Sequence, residues 1–275
     1  MRMVKEYARI RVPATTVLCG SRERESVAIA VDVWDDVAAT IGIGDSRVTV
    51  TGPAKHVFSR DDQHPTLVAM RATLDTIQAP HAGVALISQT KIPPAVGLGS
   101  RTAAMMAGIL LVRELMGGSV FSDNDAVAIA ASFNISPARA LASINGGVCL
   151  GWDSRATKLP LSKPCPVAVL VPKDARTVHG GGLPQGPVGV LSHALTQNRR
   201  LLSDVCSQVE RAQATDPRVG ESAHLLRALH DAHWPVLIAG SGPALLVFSQ
   251  LNEQMRRMFE DHGFECHSSE VQSTR

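Results

Sequence analysis

Gly97-Leu98-Gly99-Ser100-Arg101-Thr102 packs two glycines, two hydroxyls and a guanidinium into six residues. Glycines let backbone N–H groups converge, and a helix starting just after them adds partial positive charge, so the run suits an anion. The Ser100 and Thr102 hydroxyls either cap that helix or bond phosphate oxygens. The pattern is not a Walker A loop, because no Gly-Lys-Ser/Thr follows. Nor is it GxGxxG, because residue 102 is threonine. A plain capping turn is the competing reading.

A second glycine cluster, Ala239-Gly240-Ser241-Gly242-Pro243, lies between two apolar runs. Its glycines permit close backbone approach and positive φ, and a tight hairpin turn is the alternative. His179, beside Gly180-Gly181-Gly182, is a candidate general acid or base, against the plainer reading of an exposed loop histidine. His230 and His233 stand three apart on an expected helix without a third ligand in view, so no metal site is assigned. No Gly-x-Ser-x-Gly elbow or Cys–His arrangement points to a hydrolase.

The elements that must position these residues follow from periodicity. Residues 8–20, 26–40 and 46–52 alternate or run β-branched and apolar, as strands do. Apolar positions 67, 68, 70, 74 and 77 have helical spacing, stopped by Pro80. Residues 83–92 read as a strand leading into the glycine loop, and a helix is expected from about Arg101 to Met116. Further helices are expected over 122–134 and 136–145, then a strand after Gly146-Gly147. The proline-rich connection "KLPLSKPCP" precedes the strand "VAVLVP" and is the best boundary, giving units 1–160 and 161–275. Beyond it, helices are expected over 192–213 and 222–233. A strand–turn–strand follows around Gly240, then a last amphipathic helix at 252–263. Mixed strands and helices without regular βαβ alternation indicate α+β.

Composition narrows the function classes. The 275 residues are 45% hydrophobic and 19% charged, an ordinary globular balance. Lysine plus arginine number 27 against 25 acids, which argues against a nucleic-acid binder with a basic stripe. Five scattered cysteines without a CxxC pair suit neither a disulfide framework nor a structural zinc site, and suggest a reducing cytoplasm. The start lacks an apolar leader core, and no window reaches the ~18 apolar residues of a membrane span.

Four ordered segments together resemble the GHMP kinases, homoserine kinases most of all. "VPATT" at 12–16 resembles the opening segment, "IPPAVGLGSRTAAMMAG" the phosphate loop, and "IAGSGPALLVF" the third motif. "SFNISPARALASINGG" lies where those enzymes carry Glu-Gly-His-Pro-Asp-Asn before a Gly-Gly strand entry. The resemblance implies an α+β GHMP-kinase fold, a ribosomal-protein-S5-like N-terminal half with a ferredoxin-like C-terminal half. It implies ATP-dependent phosphorylation of a hydroxyl on a small amino-acid-like metabolite. Gly97, Gly99, Ser100, Arg101 and Thr102 would cradle the phosphates, and Gly240, Ser241 and Gly242 would shape the floor. Thr16, Arg139 and Arg218 would face the substrate, Arg218 holding a carboxylate.

Departures from the family pattern fall on the chemistry. Leu18 replaces an asparagine and Arg24 an aspartate, with Ser21-Arg22-Glu23 in place of Pro-Gly-Phe. Arg101 replaces one of two serines, and Asn134 replaces the glutamate that would ligate Mg²⁺. Ser136 and Arg139 stand for a histidine and an asparagine. A guanidinium stays protonated, so Arg24 is no base. If Arg22, Arg24, Arg101 and Arg139 all point inward, the pocket is strongly cationic and suits a polyanion without a metal. These changes count against Mg²⁺ and against homoserine itself as substrate. Two alternatives stay open: a repurposed enzyme acting without ATP on an anionic metabolite, and a binding subunit without turnover. Asn134, Arg24 and His179 are the positions on which catalysis turns. A small anionic substrate is the expected partner, with neither nucleic acid nor membrane, and a homodimer is in keeping with the resemblance.

Overall fold

The computed structural model describes residues 4–20, 25–175, 184–211 and 222–271, apart from the side chains of 210 and 211. Six strands form the first sheet: β1 (Tyr7–Gly20), β2 (Glu25–Gly42), β3 (Arg47–Thr51), β4 (Gly83–Gln89), β5 (Val148–Trp152) and β6 (Arg155–Leu159). The order is β3-β4-β2-β5-β6, with β1 also paired to β2. β2 is long enough to serve several partners. It pairs with β1 from Ser26 to Thr40, with β5 over Glu25–Ile29 and with β4 over Asp36–Gly42. The β1–β2 ladder shifts register at Pro13/Ala14 and again at Val17/Cys19. Proline cannot donate to a ladder, so a bulge at Pro13 accommodates it and re-aims the residues that follow. Those residues are Thr15 and Thr16.

Four helices accompany this sheet: α1 (Pro65–Thr76), α2 (Ser100–Leu115), α3 (Asp123–Ala131) and α4 (Pro137–Asn145). α2 packs on α1 and β1, and α4 packs on β1, β2, β5 and β6. α2 is buried almost all round, which its run of Ala, Gly, Met, Ile and Leu explains. At Gly108 the backbones of α1 and α2 nearly touch, since a Cβ there would lie 2.3 Å from the Thr66 carbonyl oxygen.

The second sheet has β7 (Pro166–Pro172), β8 (Val236–Ile238), β9 (Leu245–Val247) and β10 (Phe264–Glu270), all antiparallel in the order β10-β7-β9-β8. Its helices are α5 (Val188–Thr196), α6 (Leu202–Arg211), α7 (Ser222–Asp231) and α8 (Glu253–Asp261). One large core cluster joins the two sheets. It runs from Val12 and Ile29 through α2 to Val169, Leu195 and Leu246. A smaller cluster around Phe259 and Leu229 lies between the second sheet and α7 and α8. Strands and helices thus make an α+β molecule.

The expected continuous helix over 192–213 is in fact two, α5 and α6, separated by a 3-10 turn at Arg199–Leu201. The break has an identifiable cause. The Thr196 carbonyl accepts from Ser162 N–H at 3.0 Å, and Arg199 Nη2 donates to the Lys163 carbonyl at 2.6 Å. The proline-rich connection therefore takes the carbonyl end of α5. β6 and β10 were not expected. Both are sheet edges with polar, alternating sequences that carry a weak apolar signal.

Candidate anion-binding site

The glycine loop is anchored before it begins. Asp35 of β2, only 2% exposed, accepts from the backbone N–H of Lys91 at 2.7 Å and of Ile92 at 3.0 Å through one carboxylate oxygen. Burial raises its pKa to about 6, opposed by those two bonds and by Lys91, and helped by neighbouring Asp36. Nothing in the sequence singled out Asp35. The one available signal was its alternation with the apolar Val37 and Ala39, which share the inward-facing register.

From Ile92 the chain runs to Gly97 and Gly99, at φ 90° and 82°. Gly99 is the left-handed N-cap of α2, and no side chain caps the helix. The first intrahelical bond runs from Ala103 N–H to the Gly99 carbonyl at 2.8 Å. The N–H groups of residues 100–102 therefore stay uncommitted among the described residues, at the positive end of a 16-residue helix. The head of α5, at Pro187, likewise has no side-chain cap, whereas other helices do. Ser122 and Asp125 form a capping box on α3, Ser136 caps α4, and Asn252 caps α8. Ser100 and Thr102 are buried, while Arg101 is exposed on the first turn.

The two glycine clusters meet. A Cβ on Gly97 would lie 1.7 Å from the Ala239 carbonyl oxygen, and one on Gly240 would lie 3.0 Å from the Gly97 carbonyl oxygen. Ala244 N–H donates to the Val96 carbonyl at 3.2 Å across the same seam. Gly240 has φ 55° and Gly242 has φ 72°, and both are buried, whereas Ser241 is exposed. Thr16 lies beneath. It is fully buried, its Oγ1 is 3.2 Å from the place of a Gly240 Cβ, and that hydroxyl has no hydrogen-bond partner among the described residues.

Arg139, on α4, reaches the same loop from the other side. Its Nε and Nη2 donate to the Thr15 carbonyl at 3.1 and 2.8 Å, and Nη2 lies 2.2 Å from the place of a Gly99 Cβ. Only glycine leaves room for that guanidinium. Thr15 in turn donates its N–H to the Leu98 carbonyl at 3.1 Å, so β1, α4 and the loop close on one another. Ser143 Oγ, which donates to the Arg139 carbonyl at 3.0 Å, lies 3.4 Å from Thr15 Oγ1. Thr15 and Ser143 escaped the sequence reading because their part in the loop appears only when β1 and α4 are brought together.

Asn134 stands apart from this group. It sits at φ 58° in the turn between α3 and α4, exposed, and among the described residues no hydrogen bond joins its side chain to the loop. Mg²⁺ takes hard oxygen donors, carboxylates above all. Asn134 offers only a neutral amide oxygen, and no group of three or more His, Cys, Asp or Glu comes together among the described residues.

Arg22, Arg24, His179 and Arg218 lie outside the described residues. The residues that flank them are informative. Gly20 N–H donates to the Pro184 carbonyl at 2.7 Å, and Gln185 Nε2 donates to the Gly20 carbonyl at 3.3 Å. Ser222 Oγ donates to the Pro243 carbonyl at 2.6 Å. Of the other sequence candidates, His230 places Nε2 3.0 Å from the Val236 carbonyl, a structural bond, and His233 is an exposed turn residue.

No family model matches the chain. The backbone is similar to a crystal structure of homoserine kinase from Cytophaga hutchinsonii, with TM-score 0.72 and 20% identity, covering 99% of this chain and 96% of that one. It is similar also to a crystal structure of mevalonate kinase, with TM-score 0.69 and 12% identity over 97% and 100% of the two chains. The fold is that of the GHMP kinases. Within that class the sequence is similar to homoserine kinases: the Streptomyces coelicolor enzyme is 26% identical over 260 residues, which cover 88% of this chain and 84% of that relative. Among the described residues, no helix is long and apolar enough to cross a membrane.

Proposed function

We propose that the chain is an ATP-dependent small-molecule kinase that phosphorylates a hydroxyl on an amino-acid-like metabolite. The observation that carries this reading is the uncapped head of α2, with Gly97 and Gly99 seamed to the Gly240 turn, in a chain similar to homoserine kinases. Phosphoryl transfer asks a protein chiefly for positioning and charge stabilisation. The N–H groups of residues 100–102 and the Ser100 and Thr102 hydroxyls face that task at the loop. Gly240 and Gly242 form the floor. In the reaction, the substrate hydroxyl oxygen bonds the γ-phosphorus, the bond to the β-phosphate oxygen breaks, and the hydroxyl proton leaves. His179 is the candidate to take that proton, and Arg218 the candidate to hold a substrate carboxylate. Arg24 holds its proton permanently and serves at most as a charge.

The test is ADP release with homoserine and related hydroxy amino acids, run with and without Mg²⁺. The expected outcome is ADP formation that requires the acceptor. Absence of nucleotide binding in calorimetry would refute the reading. Nucleotide binding without turnover on any acceptor would reduce the protein to a binding subunit.

A further inference from the structure

We propose that Asp35 is a positioning residue for the glycine loop. Its carboxylate fixes where the loop enters the site, and phosphate affinity at residues 97–102 depends on that hold without contact between Asp35 and the ligand. This rests on the phosphate-loop reading above. The β2–β4 ladder ends at the pair Asp36–Gln89, and Asp35 is the next residue of β2. Where the main-chain ladder stops, the side chain takes over, one carboxylate oxygen accepting from Lys91 N–H at 2.7 Å and Ile92 N–H at 3.0 Å. Pro93 and Pro94 follow and carry no N–H. Lys91 and Ile92 are therefore the only backbone donors within residues 91–94, and Asp35 takes both.

The hold is transmitted because the segment is stiff and is clamped behind. Thr90 N–H donates to the Thr51 carbonyl at 2.9 Å, and Thr90 Oγ1 donates to the same carbonyl at 2.8 Å while accepting from Ala54 N–H at 3.0 Å. A displacement released at Lys91 therefore cannot run back into β4. Proline fixes its own φ and restricts the residue before it, so Ile92, Pro93 and Pro94 move together. They lead through Ala95, at φ 60°, to Val96, whose carbonyl accepts from Ala244 N–H, and to the seam of Gly97 with Ala239. A shift at the entry is thus delivered to both glycine turns. A buried carboxylate is costly to desolvate, and an apolar residue would serve the sheet better at this register. What the acid supplies is a charge-assisted grip on the loop.

The probe is ATP, titrated calorimetrically into the full chain in Mg²⁺ buffer. Asp35→Val fills the space and leaves the Lys91 and Ile92 N–H groups without their acceptor. ATP affinity is expected to fall about tenfold or more, the scale on which small misplacements act. Asp35→Asn keeps an accepting oxygen and is expected to recover most of that loss. Leu229→Ala, in the smaller core cluster, lowers stability away from the loop entry and is expected to bind within about threefold of wild type. Hydrogen exchange on the wild-type chain gives a readout that needs no variant to fold. Saturating ATP should slow the Lys91 and Ile92 amides more than that of Val169 in β7. Wild-type affinity in a folded Asp35→Val variant, an equal loss in Leu229→Ala, or no extra protection at Lys91 and Ile92 overturns the inference while leaving the phosphate loop standing. A wild-type chain that binds no ATP removes the phosphate-loop reading itself, and the inference with it.

Discussion

Asp35 and His64 give the clearest pH behaviour of individual residues. Asp35 has its pKa raised to about 6 by burial, from an ordinary 3.8. The native chain therefore keeps this proton to higher pH than the unfolded chain does, and the stability it contributes falls as pH rises between those values. His64 is fully buried; its Nδ1 accepts from Thr66 N–H at 3.2 Å, and its ring packs edge-on against Phe58. Burial lowers its pKa to about 4, from 6.5, so its contribution is lost as pH falls through that window. The two slopes oppose each other. Asp35→Asn keeps an oxygen for the Lys91 and Ile92 N–H groups while removing the titration. Relative to wild type, the variant should gain roughly 1.4 kcal/mol per pH unit as pH rises across the window. Urea denaturation at several pH values measures this, and parallel stability curves would contradict the assignment. At this scale the sequence showed Gly97, Gly99 and Gly240 but hid Asp35, because an acid in a strand looks solvent-facing until its register is known.

Elements were more legible than their joints. The strands 7–20 and 25–42, the helix on 65–76 and the long helix after the glycine loop all follow from apolar spacing. What periodicity cannot show is how closely two helices pass. Gly108 looks like an ordinary small residue inside α2, yet its missing side chain is what admits α1. A Cβ there would lie 2.8 Å from Ala69 Cβ and 3.0 Å from Met70 N, as well as against the Thr66 carbonyl. Gly108→Ala improves helix propensity but forces the helices apart, and overpacking should prevail with a net loss of roughly 1–3 kcal/mol. Thermal denaturation reads this directly, and a variant more stable than wild type would show that the pair can part without strain.

For the molecule as a whole, the deciding feature is that one apolar cluster crosses from the first sheet to the second. The proline-rich connection lies in the chain between β1–β6 and β7–β10. The shared core argues for one unfolding transition. Trp34 belongs to the first sheet, and Trp234 packs edge-on against Phe259 beside the second. Single-tryptophan variants retaining one or the other should unfold at the same urea midpoint, coincident with circular dichroism. Separated midpoints would mean that the smaller cluster around Phe259 melts alone.

The seam between Gly97 and Gly240 also bears on how such a protein can change. Each loop occupies space that the other leaves by lacking a side chain, across more than a hundred residues of chain. Neither can accept a bulkier residue unless the other retreats, so the two loops diverge together or not at all. A chimera that imports one of them from a relative should fail, and one that imports both should fold. The heritable unit of this site is a pair of distant turns.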